Sequence, residues 1–165
     1  MTTDTEITQT LKQLHSQCQT LHLATVGPNG QPDASYAPYV QLDDKYYIFV
    51  SQLAAHTQNL LAQRQASIML IQPEQEAKSL FARMRYTCAC EVVNIARTAS
   101  LFNEVIDSMQ ERFGSIIELL TSLGDFYLLQ LQPTNAHLVI GFGKAIELDE
   151  GRTLESKTLL TSCNN

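Results

Sequence analysis

The chain has 165 residues, 44% apolar and 17% charged, with 11 basic against 17 acidic side chains and a formal charge of −6. That length suits one domain with a core of its own, and the acidic balance argues against a surface that wraps nucleic acid, because phosphate contacts need a basic face. No run of 18 apolar residues offers a membrane span and the polar start, MTTDTEITQTLKQLHSQ, has no signal-peptide core, so we expect a cytoplasmic protein with free cysteines.

Ile7, Leu11 and Leu14 recur at helical spacing and predict a short helix over residues 5–17. The β-rich LHLATV (21–26) follows, then GPNGQPD, a cluster of turn residues that reads as a hairpin connection. ASYAPYVQL (34–42) and KYYIFVS (45–51) are two further strands around an acidic turn at Asp43 and Asp44. Pro38 would remove a ladder hydrogen bond, which puts it at an edge or bulge. Leu53, Leu60 and Leu61 share one face of a helix over 53–63. ASIMLI (66–71) is a buried strand and RMRYTCACEVV (83–93) a long one of alternating polarity. Cys88 and Cys90, two apart in that strand, are expected on opposite faces, and they lack the C-x-x-C spacing of a metal site.

A helical stretch over 99–120 breaks at Gly114, and DFYLLQLQP (125–133) and AHLVIGFGKAIEL (136–148) close the sheet. The chain thus divides into a domain over 1–148 and a polar tail over 149–165. The turns joining the early strands are too short for crossovers, which disfavours a parallel α/β sheet. The order suits a mainly β (α+β) domain, a small antiparallel barrel with helices at its ends.

The stretches LATVGPNGQPDASYAPYV, SQLAAHTQNL, ASIML, LFARMRYTCAC, ERFG, DFYLLQLQP and GFGKA, in this order and at these spacings, resemble the HugZ/HutZ haem-utilisation proteins. That family lies within the FMN-binding split barrels related to pyridoxamine 5′-phosphate oxidase. The resemblance covers roughly residues 20–146. It implies a six-stranded split barrel that pairs into a homodimer, with a haem or FMN site along the subunit interface. Carried onto this chain, the segment beside the ring is Ala34, Ser35, Tyr36 and Ala37. The phosphate side is Ser51, His56 and Thr57, with charge from Arg83 and Arg85. Asp125 matches an acid that lies near the proximal haem ligand in the family, where it would hydrogen-bond an axial imidazole.

What chemistry do these residues permit? A helix N-terminus presents amides without internal acceptors, worth at most ~2 kcal/mol to an anion, whereas micromolar binding of a mononucleotide takes about 8 kcal/mol. A guanidinium and burial of the ring must provide the remainder. Arg83 and Arg85, two apart in a predicted strand, would share one face and repel unless an anion or an acid lies between them. The alternative is pairing with Glu74, Glu76 or Glu91. Ser51 is also a good N-cap and Thr57 could simply face solvent. A phosphate beside His56 would favour its charged form. Tyr36, Tyr39, Tyr46 and Tyr47 read as sheet packing, and the glycines of GFG as a bulge or a close approach of backbones.

The haem-degrading members carry their axial histidine beyond the GFG segment, and here KAIELDEGRTLESKTLLTSCNN contains none. His137 is the candidate for a haem-iron ligand in its place, with Cys163 a possible thiolate, while His22 is expected to face outward on the first strand. Three readings stand: a haem-binding protein with haem oxygenase-like activity, an FMN-dependent oxidoreductase, and a non-catalytic ligand-binding module. No spacing supports hydrolytic chemistry.

Overall fold

The structure, a computed structural model, describes residues 3–149 and the segment Thr161–Ser162. In chain order the elements are α1 (Asp4–Gln17), β1 (Thr20–Val26), β2 (Pro32–Leu42), β3 (Lys45–Ser51), α2 (Ala55–Gln63), β4 (Gln65–Ile71), β5 (Arg85–Ile95), α3 (Ser100–Phe113), α4 (Ile116–Ser122), β6 (Phe126–Gly141), β7 (Lys144–Asp149) and β8 (Thr161–Ser162). The strands lie in the order β3-β2-β1-β4-β5-β6-β7-β8, and β3 also pairs with β6. Strands β1 to β6 therefore close a six-stranded barrel, antiparallel throughout, from which β7 and β8 extend. Beyond Asp149 the expected tail, with Cys163, lies outside the described residues apart from Thr161–Ser162.

The sequence pattern accounts for the layers. β1 alternates strictly, sending Leu21, Leu23 and Thr25 inward. β3 is buried on both faces because two layers cover it. Tyr46, Ile48 and Val50 enter the barrel, while Tyr47 and Phe49 pack outward against Phe102, Val105, Ile106 and Met109 of α3. Ile7, Leu11 and Leu14 of α1 join the barrel core itself, so that helix belongs to the same cluster as the strands. Each such buried side chain contributes roughly 1.5–3 kcal/mol. The β2–β3 turn takes positive φ at both Asp43 and Asp44 (47° and 61°), as a two-residue hairpin matched to the sheet twist requires. Gly114, φ 80°, separates α3 from α4 at the predicted break.

Three expectations need correction. The last two strands divide elsewhere: β6 runs unbroken for 16 residues, and the reversal falls at Phe142–Gly143, so GFG is a hairpin turn with a register irregularity at its start. Pro133 does not end the strand because it sits at the irregularity where Cys88 pairs Ala136 and Cys90 pairs Pro133. Second, β5 begins at Arg85, and Arg83 instead follows a short 3₁₀ turn, Leu80–Ala82. Third, Cys88 and Cys90 share the inner face, both buried with their sulfurs 3.4 Å apart, because residues two apart in a strand point the same way. Pro38 holds the expected position: it is the last β2 residue paired with β1, and pairing with β3 starts at Tyr39.

Candidate functional site

That change of partner at Pro38 opens a gap. Residues 32–38 pair with β1 on one side only, and among the described residues their other edge has no strand. Alternation turns Ala34 and Tyr36 outward and Ser35 and Ala37 inward. Tyr36 is 65% exposed, so it does not serve as sheet packing, unlike Tyr39, Tyr46 and Tyr47.

Helix α2 packs on β1 and β2 beside this gap. Its N-cap is Ala54, which offers no side-chain cap. Ser51 is not the N-cap: its Oγ accepts the Leu53 N–H (3.2 Å) and its carbonyl accepts the Ala54 N–H, stabilising the turn before the helix. The same turn is held by the Gln52 N–H donating to the Asp125 carbonyl (2.7 Å). Thr57 is fully buried, and its Oγ1 and the Ser35 Oγ are buried with no hydrogen-bond partner. Buried hydroxyls left unpaired cost about 1–3 kcal/mol each, so this corner carries unused donor capacity. Its floor is well tied: Asn59 donates from Nδ2 to Thr25 Oγ1 (3.0 Å), and Thr25 donates to Asp33 Oδ2 (3.5 Å). His56 is half-buried, and that burial lowers its pKa against the opposing pull of the Asp33 carboxylate.

The two arginines assigned to this corner lie elsewhere in the chain. Arg83 donates to the Gln72 carbonyl from Nε (2.8 Å) and again from Nη2, with Glu74 at 3.6 Å from Nη1. It fixes the loop after β4, so the pairing with Glu74 is the one realised and the shared strand face with Arg85 is not. Arg85 stands opposite Ile71 and Val139, whereas Ser51 stands opposite Phe126, at the far end of the long β6. Within one chain, the arginines and the α2 corner do not meet.

Arg85 instead joins a second cluster. The registers align a row across the outer face of the sheet: Tyr36, His22, Met69, Thr87, His137 and Glu147 are successive cross-strand partners. His22 is exposed there, as expected. His137 lies mid-strand in β6, its side chain 60% exposed and its Nδ1 4.0 Å from Glu147 Oε1. Arg85, two residues before Thr87 on the same face, is the diagonal neighbour of His137. Asp125 is at the other end of the barrel from His137, so the acid beside that imidazole is Glu147. Beside this row, further along the same strands, Ala24, Val26, Pro32, Ser67 and Ala89 line a groove of about 460 Å³ with Gln65 and Glu91 at its other side.

Sequence reasoning missed Asn59, Thr25, Asp33 and Glu147. Asn59 stood in the quoted SQLAAHTQNL, on the helix face that also carries Leu60, and that was the available signal. The contact of Glu147 with His137 depends on the position of the β6–β7 turn, which the residue pattern did not reveal. No described group of three or more His, Cys, Asp or Glu side chains is arranged to hold a metal ion. No described helix is long and apolar enough to cross a membrane.

A closed six-stranded antiparallel barrel with one strand edge left open beside a helix N-terminus is the split-barrel architecture. The profile of the pyridoxamine 5′-phosphate oxidase family matches residues 7–140, and the chain belongs to that family. Heme oxygenase HutZ of Vibrio cholerae is 44% identical over 138 residues, 84% of this chain and 78% of that protein. A crystal structure of HutZ, described as a heme storage protein, superposes with a TM-score of 0.73 over 81% of this chain and 91% of that one. Campylobacter jejuni ChuZ, 25% identical, superposes with a TM-score of 0.82 over 92% of this chain and 62% of that one. An FMN-binding protein from Nostoc punctiforme, 18% identical with a TM-score of 0.66, shares the fold.

Proposed function

We propose that this chain is a cytoplasmic haem-utilisation protein that binds haem between two copies of itself. The observation that carries the reading is the Arg85–His137–Glu147 cluster on the outer face. A metal-ligating histidine commonly gives its second ring nitrogen to a carboxylate, which fixes the ring and raises its basicity. Here Glu147 Oε1 lies 4.0 Å from His137 Nδ1, so His137 would hold the iron through its other nitrogen with the carboxylate close behind, and Arg85 would pair with a propionate. Haem bound there would supply oxygen activation at its iron, the chemistry for which the Vibrio relative is named. His137 would hold the iron, with Glu147 beside its ring, and Arg85 would hold a propionate. A second copy would cover the other side of the ligand, against the exposed Tyr36 and the neighbouring groove, whose lining is mostly apolar.

The competing reading is an FMN-dependent oxidoreductase of the pyridoxamine 5′-phosphate oxidase type, favoured by the unpaired hydroxyls of Ser35 and Thr57 beside the uncapped start of α2. The fit there is poorer. Within one chain neither Arg83 nor Arg85 reaches that corner, and the nearby Asp33 carboxylate repels a phosphate. A non-catalytic binding module would use the same residues and no reductant.

Titration of the purified protein with hemin and, separately, with FMN tests the reading. A Soret band that changes in His137→Ala but not in His22→Ala is the expected result. Failure of hemin to bind, or hemin binding indifferent to His137, overturns the assignment, and tight FMN binding with none of hemin would transfer it to the α2 corner.

A further inference from the structure

The barrel interior holds oxidisable side chains that neither reading uses. Tyr39, Tyr46 and Tyr86 are fully buried, with ring centroids 5.6 Å apart for Tyr39–Tyr46 and 6.4 Å for Tyr46–Tyr86. The thiols of Cys88 and Cys90 lie in the same cluster. Against them sits His15, an imidazole from α1. Its Nδ1 is 2.6 Å from the Leu11 carbonyl, and its Nε2 is 2.8 Å from the Tyr46 hydroxyl.

A carbonyl can only accept, so Nδ1 carries the hydrogen. Burial keeps the imidazole below its ordinary pKa, hence neutral, and the Nε2 lone pair is then the acceptor for the Tyr46 O–H. Burial also pushes the Tyr46 phenol well above its usual range, so it does not ionise unaided. Loss of an electron from a phenol makes its proton strongly acidic, and here a base already stands on that proton. Tyr39 lacks such a base and has the Arg112 guanidinium 4.7 Å over its ring, which opposes removal of an electron. Tyr86 completes the path: it is one residue from both Arg85 and Thr87 and opposite Leu138, so its ring lies inside the wall whose outer side bears His137.

We propose that Tyr46 is a reversible one-electron donor with His15 as its proton acceptor, reached through Tyr86 by an oxidant of the haem-plus-peroxide class on the outer face. The electron passes to the oxidant, reducing it by one. The phenolic O–H bond breaks as an N–H bond forms at His15 Nε2, leaving a neutral tyrosyl radical and an imidazolium. An electron from a small-molecule thiolate, which leaves as a thiyl radical, and return of the proton from His15 Nε2 to the phenolate oxygen restore the pair. The source of the oxidant rests on the haem reading; the Tyr46–His15 pair does not.

The test therefore has two arms. In the first, the haem-free protein in a Tyr36→Phe background, which removes the exposed competitor, is oxidised by a flash-generated ruthenium(III) tris-bipyridine. The expected product is a long-lived neutral tyrosyl radical whose electron resonance spectrum in D₂O shows one hydrogen-bonded exchangeable deuteron. It is lost in Tyr36→Phe/Tyr46→Phe. An unchanged spectrum in that double variant, or no such deuteron, overturns the pair, and the deuteron measurement decides it even if Tyr46→Phe does not fold. In the second arm, hemin-loaded protein receives peroxide. A Tyr46-dependent radical supports the path; its absence with hemin bound overturns the path and leaves the haem reading standing. If hemin does not bind, the haem reading and this path fall together, and the first arm alone decides the pair.

Discussion

The α2 corner and the outer face of β5–β7 are the two regions with chemistry to offer, and they are built in opposite ways. At the α2 corner the polar groups are buried, rigidly floored and short of partners: Thr57 and Ser35 are unpaired over an Asn59–Thr25–Asp33 network. On the outer face the groups are more open to solvent, and His137 Nδ1 stands 4.0 Å from Glu147 Oε1, both side chains substantially exposed. A buried notch is formed before its ligand arrives and costs folding stability to keep. An exposed cluster costs the fold almost nothing and becomes a site only when something covers it. The difference explains why a second copy of the chain matters to the haem reading, since the single barrel supplies charges on that face without enclosure.

Substitutions can sharpen this contrast, beginning with the largest effect. Leu60 is fully buried where α2 meets the barrel, and Leu60→Ala should cost about 2–5 kcal/mol in urea unfolding, loosening the corner while sparing the outer face. Asn59→Ala removes the donor to Thr25 at a site only 8% exposed and should cost about 1–3 kcal/mol. Loss of hemin binding in a folded Asn59→Ala would show that the two regions are one site.

Acid tests the interior. Burial lowers the folded pKa of His15 below its ordinary 6.5, the bond to the Leu11 carbonyl opposes this, and Arg112 adds to it. Below that ordinary value the unfolded chain takes up a proton that the folded chain refuses. Stability should therefore be complete above about pH 6.5 and fall as pH drops toward the folded pKa, by at most about 1.4 kcal/mol per pH unit. His56 shifts in the same direction, through burial against Asp33, and being more open it should contribute less. His15→Gln should flatten most of the slope, as read from unfolding midpoints between neutral and mildly acid pH; a slope that persists would place the titration elsewhere.

Thr57→Val turns the cost of the corner into a gain. It keeps the shape and removes a hydroxyl that has no partner, so the ligand-free protein should become about 1 kcal/mol more stable. If the hydroxyl serves an anion, FMN or phosphate binding falls at the same time; if hemin binding also falls, the corner would belong to the hemin-binding region, from the same or a second copy.

How much of this could be seen in the sequence follows the same division. The barrel was legible because its strands alternate over short turns with distinctive residues: β1 and the Asp43–Asp44 turn needed nothing beyond local pattern. The long β6 was not, because Pro133 mimics a strand end and is tolerated only through a pairing irregularity contributed by β5. At the site, Ser35, His56 and Thr57 were singled out through the likeness of their surroundings to a family, and α2, which bears His56 and Thr57, packs on β1 and on β2, the strand that bears Ser35. Arg83 was misread because FARMR resembles strand, while the Gln72 carbonyl and Glu74 that claim it become its neighbours only through the fold of the loop. His15, five residues before the region of resemblance, carries no local sign of its role, since Tyr46 comes within 2.8 Å of it only in the fold.

The smallest expected effect on stability is the most informative about function. His137 and Glu147 are both substantially exposed, and such pairs contribute little, so His137→Ala should alter unfolding by less than about 0.5 kcal/mol. If His137 is the iron ligand, the same substitution changes the Soret spectrum and weakens hemin binding, although the fold is untouched. Glu147→Gln should do less: it removes only a negative charge 4.0 Å from the ring, so hemin should still bind while the reduction potential of a His137-ligated iron would rise. A result in which Glu147→Gln matters as much as His137→Ala would mean that the carboxylate itself, and not the imidazole it orients, meets the ligand. Because neither variant disturbs the core, a change in hemin binding would belong to the outer face, and the α2 corner would then be left to position the second copy or to hold a different anion.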